Sequence, residues 1–501
     1  MLHAWETVAV RDAEEPLLAA GAPLMAHASF GLAVHVARLL RDTRGRLAGA
    51  RAVLLVGPGD NGGDTLHAGA LLARRGVAVT AVTVAARVHD AGLAALRAAG
   101  GRVVAWDPAL SSAAASAAEV AATLALADVV LDGLLGIGAR GRLHGPASDL
   151  VAQVDAMRPR PLVVAVDVPS GVGVDDGTRP GAVLAADLTV TFGACKPALL
   201  LPPAADAAGR VVLVELGLDL PGLPAVARLE DDDVAALWPV PDRDAHKYDR
   251  GVLGVVAGSQ RYPGAAVLAV GGAVRAGVGM VRYVGSAGPQ VLAAHPEAVV
   301  GEGRVQAWLL GPGVAPDDGE QRARARAALD RAVADDLPAV VDAGGLDLLP
   351  PRVPAHVVLT PHAGELAAML SARGEQVTRA EVSASPLAHA RRAHDLTGAT
   401  VLLKGATTVV VGPHGATYAQ ADGPAWLATA GAGDVLAGVL GALLAGRAAD
   451  AVADPTLPAA LAAAAALVHG RAAHRANPGG PVSAGDVAAA VPHVVASLVT
   501  A

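Results

Sequence analysis

The chain has 501 residues, well above the roughly 100–200 of one ordinary domain, so at least two domains are expected. Hydrophobic residues make up 53%, charged residues 17% and aromatics 2%, which excludes a disordered chain and leaves few rings for stacking nucleobases. A net charge of −8 is the wrong sign for a general nucleic-acid or anionic-membrane binder, and the single cysteine, Cys195, excludes an intramolecular disulfide framework and a cysteine-based zinc site.

The longest charge-free stretch near the start, 16–37, is interrupted by Pro23, His27 and His35. It reads as two short amphipathic segments joined by a turn and not as a membrane span. Glu6, Asp12, Glu14 and Glu15 outweigh Arg11 ahead of it, the reverse of a secretory signal, so a cytoplasmic protein without a membrane partner is expected. From 50 to 216, apolar runs at 53–57, 77–84, 102–106, 128–132, 162–168, 188–192 and 211–215 alternate with helical stretches. That rhythm predicts α/β architecture with a largely parallel sheet, and ligand sites at the carboxyl ends of its strands.

The first such end carries Gly57, Gly59, Asp60, Asn61, Gly62, Gly63 and Asp64, followed by a predicted helix over 64–75. Four glycines and a helix start can bring backbone N–H groups against a phosphate or dinucleotide. The spacing is not that of the Rossmann fingerprint and lacks a P-loop lysine. An ordinary capped strand-to-helix turn is the alternative reading. Asp132 and Asp167 close two further strands, and carboxylates at neighbouring strand ends point into one crevice. Asn61, Asp132 and Ser170 would offer only oxygen ligands, which suits a hard cation. Each acid taken alone also reads as a helix cap or a loop salt bridge.

The ordered motifs at 57–64, 132–141, 166–171 and 191–197 resemble the NAD(P)H-hydrate epimerase domain over roughly the first 220 residues. The resemblance implies a Rossmann-like fold and contacts to a hydrated dinucleotide from Asp60, Asn61, Gly62, Gly63 and Asp64. It implies further contacts from Gly136, Ile137, Gly138, Ala139, Arg140, Gly141, Arg142 and Asp167. It also implies a catalytic carboxylate at Asp132 and a potassium ion, K+, held by Asn61, Asp132 and Ser170. Two positions depart from the pattern: Thr65 stands where the family usually has Gly, and Gly133 where it commonly has Ala. Only three of the 39 basic residues are lysines, Lys196, Lys247 and Lys404, and all three fall within the segments singled out, as sites needing a compact or titratable charge would.

Prolines and the acidic run 230–233 mark 221–245 as the linker, dividing the chain into domains at 1–220 and 246–501. Beyond it a second strand series, 252–257, 308–310, 339–341, 357–360 and 401–404, ends in alanine-rich helices. The strongest motif is Gly431-Ala432-Gly433-Asp434 before an apolar helical run. Unpaired N–H groups and the positive end of the helix dipole meet there at one point, a cradle for a transferring phosphoryl group, with Asp434 placed to take a hydroxyl proton. An N-capping Asp after a glycine loop is the plainer alternative.

That motif resembles the ribokinase-like fold. Together with the segments at 246–251, 257–266, 311–313, 342–344, 360–365 and 403–408 it resembles the ADP-dependent NAD(P)H-hydrate dehydratase over roughly the last 270 residues. The resemblance implies substrate contacts at Ala265, Gly313, His362 and Asp434. It implies nucleotide contacts at Lys404, Gly405, Ala406, Thr407, Thr408 and Gly433, with Mg2+ accompanying ADP. Ala432, Ala430 and Ala315 depart from the family's usual Thr, Gly and Gly. The chemistry agrees with the residues: hydroxide leaves poorly, and a phosphorylated hydroxyl leaves easily. The expectation is a bifunctional enzyme of two fused three-layer α/β domains. It would interconvert the R and S forms of hydrated NADH and NADPH and dehydrate the S form at the expense of ADP, giving AMP and phosphate. Two alternatives stand beside it: a ribokinase-type small-alcohol kinase fused to a non-catalytic dinucleotide-binding module, and a first domain serving only as a binding partner. The alanine-rich helices point to a homo-oligomer.

Overall fold

Val, Leu and Ala dominate the predicted strands, and strands of that composition are stable in water only when both faces are covered. In the computed structural model, which describes residues 1–106, 117–138 and 141–500, this is the arrangement found. Ala139 and Arg140, two of the expected dinucleotide contacts, lie outside the described residues. The chain divides into two units, His3–Ala225 and Val226–Ala501, the second including Met1–Leu2.

The first unit holds a 7-stranded sheet in the order Arg102–Ala105, Ala78–Thr83, Arg51–Val56, Val129–Gly133, Leu162–Val166, Leu188–Phe192, Arg210–Val214, every pairing parallel. Alternation within a strand builds the outer layers: Leu54 and Val56 join one buried cluster with Leu32, Val36 and Leu66, while Val53 and Leu55 join the other with Val104 and Leu150. Strand order reverses between Arg51–Val56 and Val129–Gly133, and a crevice opens beyond their carboxyl ends at such a reversal.

Stretch 16–37 belongs to helices Thr7–Ala19 and Leu24–Arg44, which meet at 115°. The second helix is longer than expected because Leu32, Val36 and Leu40 dock one of its faces on the core. No single helix among the described residues is long and apolar enough to cross a membrane.

In the second unit the sheet runs Val226–Arg228, Thr417–Gln420, Thr408–Val411, Thr400–Leu403, Val357–Leu359, Ala339–Val341, Ala307–Leu310, Val252–Val256, Met280–Tyr283, Val299–Val300. From Thr400–Leu403 to Val299–Val300 it is parallel, whereas Thr400–Leu403, Thr408–Val411 and Thr417–Gln420 form an antiparallel meander that the sequence reading missed. Segment 221–245, read as a linker, contains the strand Val226–Arg228 and the helix Asp231–Leu237 of this unit. The acidic run caps that helix: Glu230 and Asp233 form a capping box, and both accept the terminal ammonium of Met1, at 2.7 and 2.9 Å. Alanine lets the helices pack closely; Ala459, Ala462, Ala463, Ala464 and Ala465 of helix Leu457–Ala476 are fully buried.

Candidate active sites

The glycine-rich turn of the first unit becomes helical sooner than predicted, at Asp60 instead of Asp64, in a helix Asp60–Ala73. Close approach explains the glycines. A Cβ on Gly62 would lie 2.3 Å from the Gly57 carbonyl oxygen, and one on Gly57 would lie 1.8 Å from that of Leu134. With side chains excluded there, the first helical turn sits against the neighbouring strand end and borders a cavity of about 570 Å³. Asp60, Asn61, Asp64, Gly136, Ile137, Gly138 and Asp167 line it, so most of the expected dinucleotide contacts line one cavity.

Three residues expected to hold a cation gather around Leu135. Asn61 Nδ2 donates to the Leu135 carbonyl at 3.0 Å, Ser170 Oγ accepts from the Leu135 N–H at 2.9 Å, and Ser170 Oγ donates to Asp132 Oδ1 at 2.6 Å. Asp132, expected as a catalytic carboxylate and as a cation ligand, is not among the residues that line the cavity. Its carboxylate is fully buried beneath the cavity wall, bound by the Ser170 hydroxyl, the Ser170 N–H at 2.9 Å and the Leu134 N–H at 3.4 Å. Those hydrogen bonds hold the loop. Burial raises the pKa of Asp132 against them, and no basic side chain pairs with it among the described residues.

Asp167 does face the cavity. It ends strand Leu162–Val166 with a left-handed φ of 68°, a conformation that costs a non-glycine residue about 1 kcal/mol or more. Lys196 Nζ holds its Oδ1 at 2.5 Å, and Thr191 Oγ1 and the Phe192 N–H donate to the same oxygen. Every hydrogen bond found for this carboxylate among the described residues ends on Oδ1. Burial, helped by the charges of Asp167, Asp60 and Glu14, holds the Asp64 carboxyl well above the usual range despite a 3.2 Å bond from Ser29 Oγ. Arg11, Glu14 and Lys196 also line the cavity, and none of the three was predicted as a contact; only the scarcity of lysine marked Lys196.

In the second unit, parallel strands deliver their carboxyl ends to the amino end of helix Ala432–Gly446. Gly431 is in the left-handed region at φ 87°, and a Cβ there would meet Leu268 Cδ1 at 2.4 Å. The turn therefore requires glycine. Lys404 Nζ donates to Asp342 Oδ1 at 2.7 Å and lies 3.8 Å from Glu365 Oε2. Burial alone would lower the pKa of Lys404, but the charges of Asp342, Glu365 and Asp434 outweigh it and raise the pKa. Asp434 is pushed up to about 7, first by burial and then by Asp342 and Glu365, with Lys404 opposing. A half-buried ammonium among three carboxyl groups therefore stands where N–H groups of the helix point outward. A Cβ built on Gly433 would lie 3.4 Å from Lys404 Nζ.

His362 caps helix Ala363–Ala372, its Nδ1 accepting from the N–H groups of Gly364 and Glu365 at 3.0 and 3.1 Å. The neutral ring therefore carries its proton on Nε2. Gly313, at φ 64°, lies so close to Ala265 that a Cβ would come within 2.5 Å of the Ala265 methyl carbon, which places these two expected contacts side by side. Gly405 and Ala406 are exposed, Thr407 is buried, and Thr408 opens a strand. His469, unnoticed in the sequence, is buried behind the helix start; burial lowers its pKa to about 4, against the Ala432 backbone, and keeps it neutral.

Two family models match this chain: YjeF-related protein N-terminus over residues 21–198, and NAD(P)H-hydrate dehydratase over 253–484. The bifunctional NAD(P)H-hydrate repair enzyme of Mycobacterium leprae is 44% identical over 100% of this chain and 99% of its own length. The chain belongs to the bifunctional NAD(P)H-hydrate repair enzymes. Like its relatives, this repair enzyme carries an NAD(P)H-hydrate epimerase domain and an NAD(P)H-hydrate dehydratase domain. The NAD(P)H-hydrate epimerase of Microbacterium testaceum is 47% identical over 43% of this chain and 79% of its own. Among solved structures, an ADP/ATP-dependent NAD(P)H-hydrate dehydratase of Bacillus subtilis co-crystallised with ATP/Mg2+ matches 55% of this chain and 99% of its own, with 27% identity and a TM-score of 0.47.

Proposed function

We propose that the first unit interconverts the R and S forms of hydrated NADH and NADPH, and that the second removes water from the S form by phosphorylating it with ADP. The observation that carries this reading is the cluster of Asp434, Lys404, Asp342 and Glu365 at the start of helix Ala432–Gly446. Asp434 takes the proton of the ring hydroxyl as its oxygen attacks the terminal phosphorus of ADP. Lys404 and the outward N–H groups of the helix receive the charge on the transferring phosphoryl. AMP leaves. The ring nitrogen lone pair then expels phosphate from the ring carbon, and loss of a proton from the adjacent carbon restores the double bond of NAD(P)H. Ala265, Gly313 and His362 Nε2–H would position the ring, and the 405–408 loop the nucleotide.

Mg2+ supplies charge neutralisation at the nucleotide phosphates, and the carboxylates of Glu365 and Asp342 offer the hard oxygen donors it prefers. In the first unit the donor set fits K+: Asn61, the Leu135 carbonyl and Ser170 are oxygen-bearing groups around a buried carboxylate, Asp132, with no basic partner among the described residues. Asp167, which lines the cavity with Oδ2 free, stabilises positive charge on the ring.

The test is incubation of the purified protein with resolved R- and S-hydrated NADH, with and without ADP. Recovery of absorbance at 340 nm from the S form requires ADP, and recovery from the R form requires both units. Accumulation of a stable phosphorylated product would instead indicate a small-alcohol kinase, the reading that the family membership disfavours.

A further inference from the structure

The family model for the first unit begins at residue 21, yet the cavity is walled in part by the helix Thr7–Ala19, which lies before that point. Two residues of this helix reach the cavity. Arg11 Nη2 donates to the Ile137 carbonyl at 3.1 Å and so ties the helix to the glycine loop. Glu14 lines the cavity one turn further on, half-buried, and no hydrogen-bond or ion-pair partner is found for it among the described residues. Other elements bring the remaining charges that surround it: Asp60 and Asp64 from helix Asp60–Ala73, Asp167 from a strand end, and Lys196 beneath Asp167.

Inversion at a ring carbon that bears both a hydroxyl and the ring nitrogen needs a proton delivered to the departing oxygen on one face. It also needs a proton removed from the incoming oxygen on the other. Lys196 Nζ occupies Asp167 Oδ1 and leaves Oδ2 free to accept, which suits Asp167 to the second task. An unpartnered carboxyl from a separate element is required to complete the pair, and Glu14 comes from helix Thr7–Ala19. We propose that Glu14 is a catalytic residue of the epimerase unit, the proton donor to the departing hydroxyl, working opposite Asp167. The proposal rests on the epimerase reading above.

The step balances as follows. Glu14 gives its proton to the ring hydroxyl, the carbon–oxygen bond breaks with its electron pair leaving as water, and the ring nitrogen lone pair forms a carbon–nitrogen double bond. A second water attacks the opposite face and passes a proton to Asp167 Oδ2. The proton returns from Asp167 to Glu14 through solvent. Burial, with the charges of Asp167 and Asp60, raises the Glu14 pKa against the pull of Lys196 and Arg11, so more of it stays protonated than of a surface glutamate.

The test uses the full chain. Wild-type protein converting the R hydrate in the presence of ADP establishes the epimerase reading; a wild type inert on R but active on S removes that reading and the proposal together. If wild type is active, Glu14→Gln is expected to lower kcat on the R hydrate by about 10²–10⁴-fold with KM little changed, and Glu14→Asp to recover part of the loss. The wild-type rate should fall as pH rises through the Glu14 pKa, and that limb should vanish in Glu14→Gln. A Glu14→Gln rate within twofold of wild type overturns the proposal. An independent measurement needs no variant: in ¹⁸O-water each inversion should introduce one solvent oxygen. Retention of the original oxygen would mean that the ring opens and recloses instead, and would overturn it as well.

Discussion

Asp434 ties stability to catalysis through one carboxyl. Its pKa rises from an ordinary 3.8 to about 7 on folding, so the folded chain holds the proton more tightly than the unfolded one. Stability is therefore lost as pH rises from about 4 to 7, and the loss is complete above 7. In the proposed mechanism Asp434 must be ionised to act as the base, so dehydration should gain rate over the same window. Asp434→Asn is expected to reduce dehydration by about 10²-fold or more. It should also raise the melting temperature at pH 8, with the gain shrinking toward pH 5; equal gains at both pH values would show that the carboxyl is not buried in its charged form. Thr65 and Gly133, the two departures from the epimerase motifs, meet in space. A Cβ on Gly133 would lie 1.9 Å from Thr65 Oγ1, so the threonine is accommodated because the alanine is missing. Gly133→Ala alone is expected to destabilise by about 1–3 kcal/mol, and Thr65→Gly added to it to restore most of the loss. Denaturant titration of the four proteins measures the coupling.

Among the elements, helices Pro263–Arg275 and Ala432–Gly446 decide the geometry of the dehydratase site, because the first begins beside Ala265 and the second beside Asp434. They cross on glycines. A Cβ on Gly438 would come within 2.2 Å of the Ala269 carbonyl oxygen, and one on Gly272 within 2.5 Å of the Val435 carbonyl oxygen. Backbone meets backbone there, so no side chain can move aside. Gly438→Ala is expected to cost about 1–3 kcal/mol and to lower dehydration of the S hydrate by misplacing the Asp434 turn, while R/S interconversion continues. Chromatographic separation of the hydrates reads both activities in one sample.

Over the whole molecule, two units carry two ligand chemistries, and the predicted ions differ accordingly. Chelation with EDTA is expected to abolish recovery of absorbance from the S hydrate with ADP and to leave R/S interconversion intact. Exchange of K+ for tetramethylammonium, which cannot shed a hydration shell to take oxygen ligands, is expected to slow interconversion only. A common response of both activities to either treatment would contradict the separate assignments.

The α/β class, the epimerase and dehydratase halves and the strand-end motifs were legible in the order of residues alone. Parallel strands must be apolar throughout, and glycine runs are required where backbones touch, so both leave marks that can be read locally. Boundaries were less legible: helix Asp60–Ala73 starts early and 221–245 is structured, because packing against distant segments extends both beyond local propensity. Only the tertiary structure decided which acids face a cavity. Asp132 and Asp167 end neighbouring strands in the same way, yet one is sealed beneath Ser170 and the other is held open by Lys196. Glu14, Asp342 and Glu365 gained their significance from neighbours that lie far away in sequence for the most part. Burial and charge proximity set a carboxyl's proton affinity, and neither is a property of the segment that carries it.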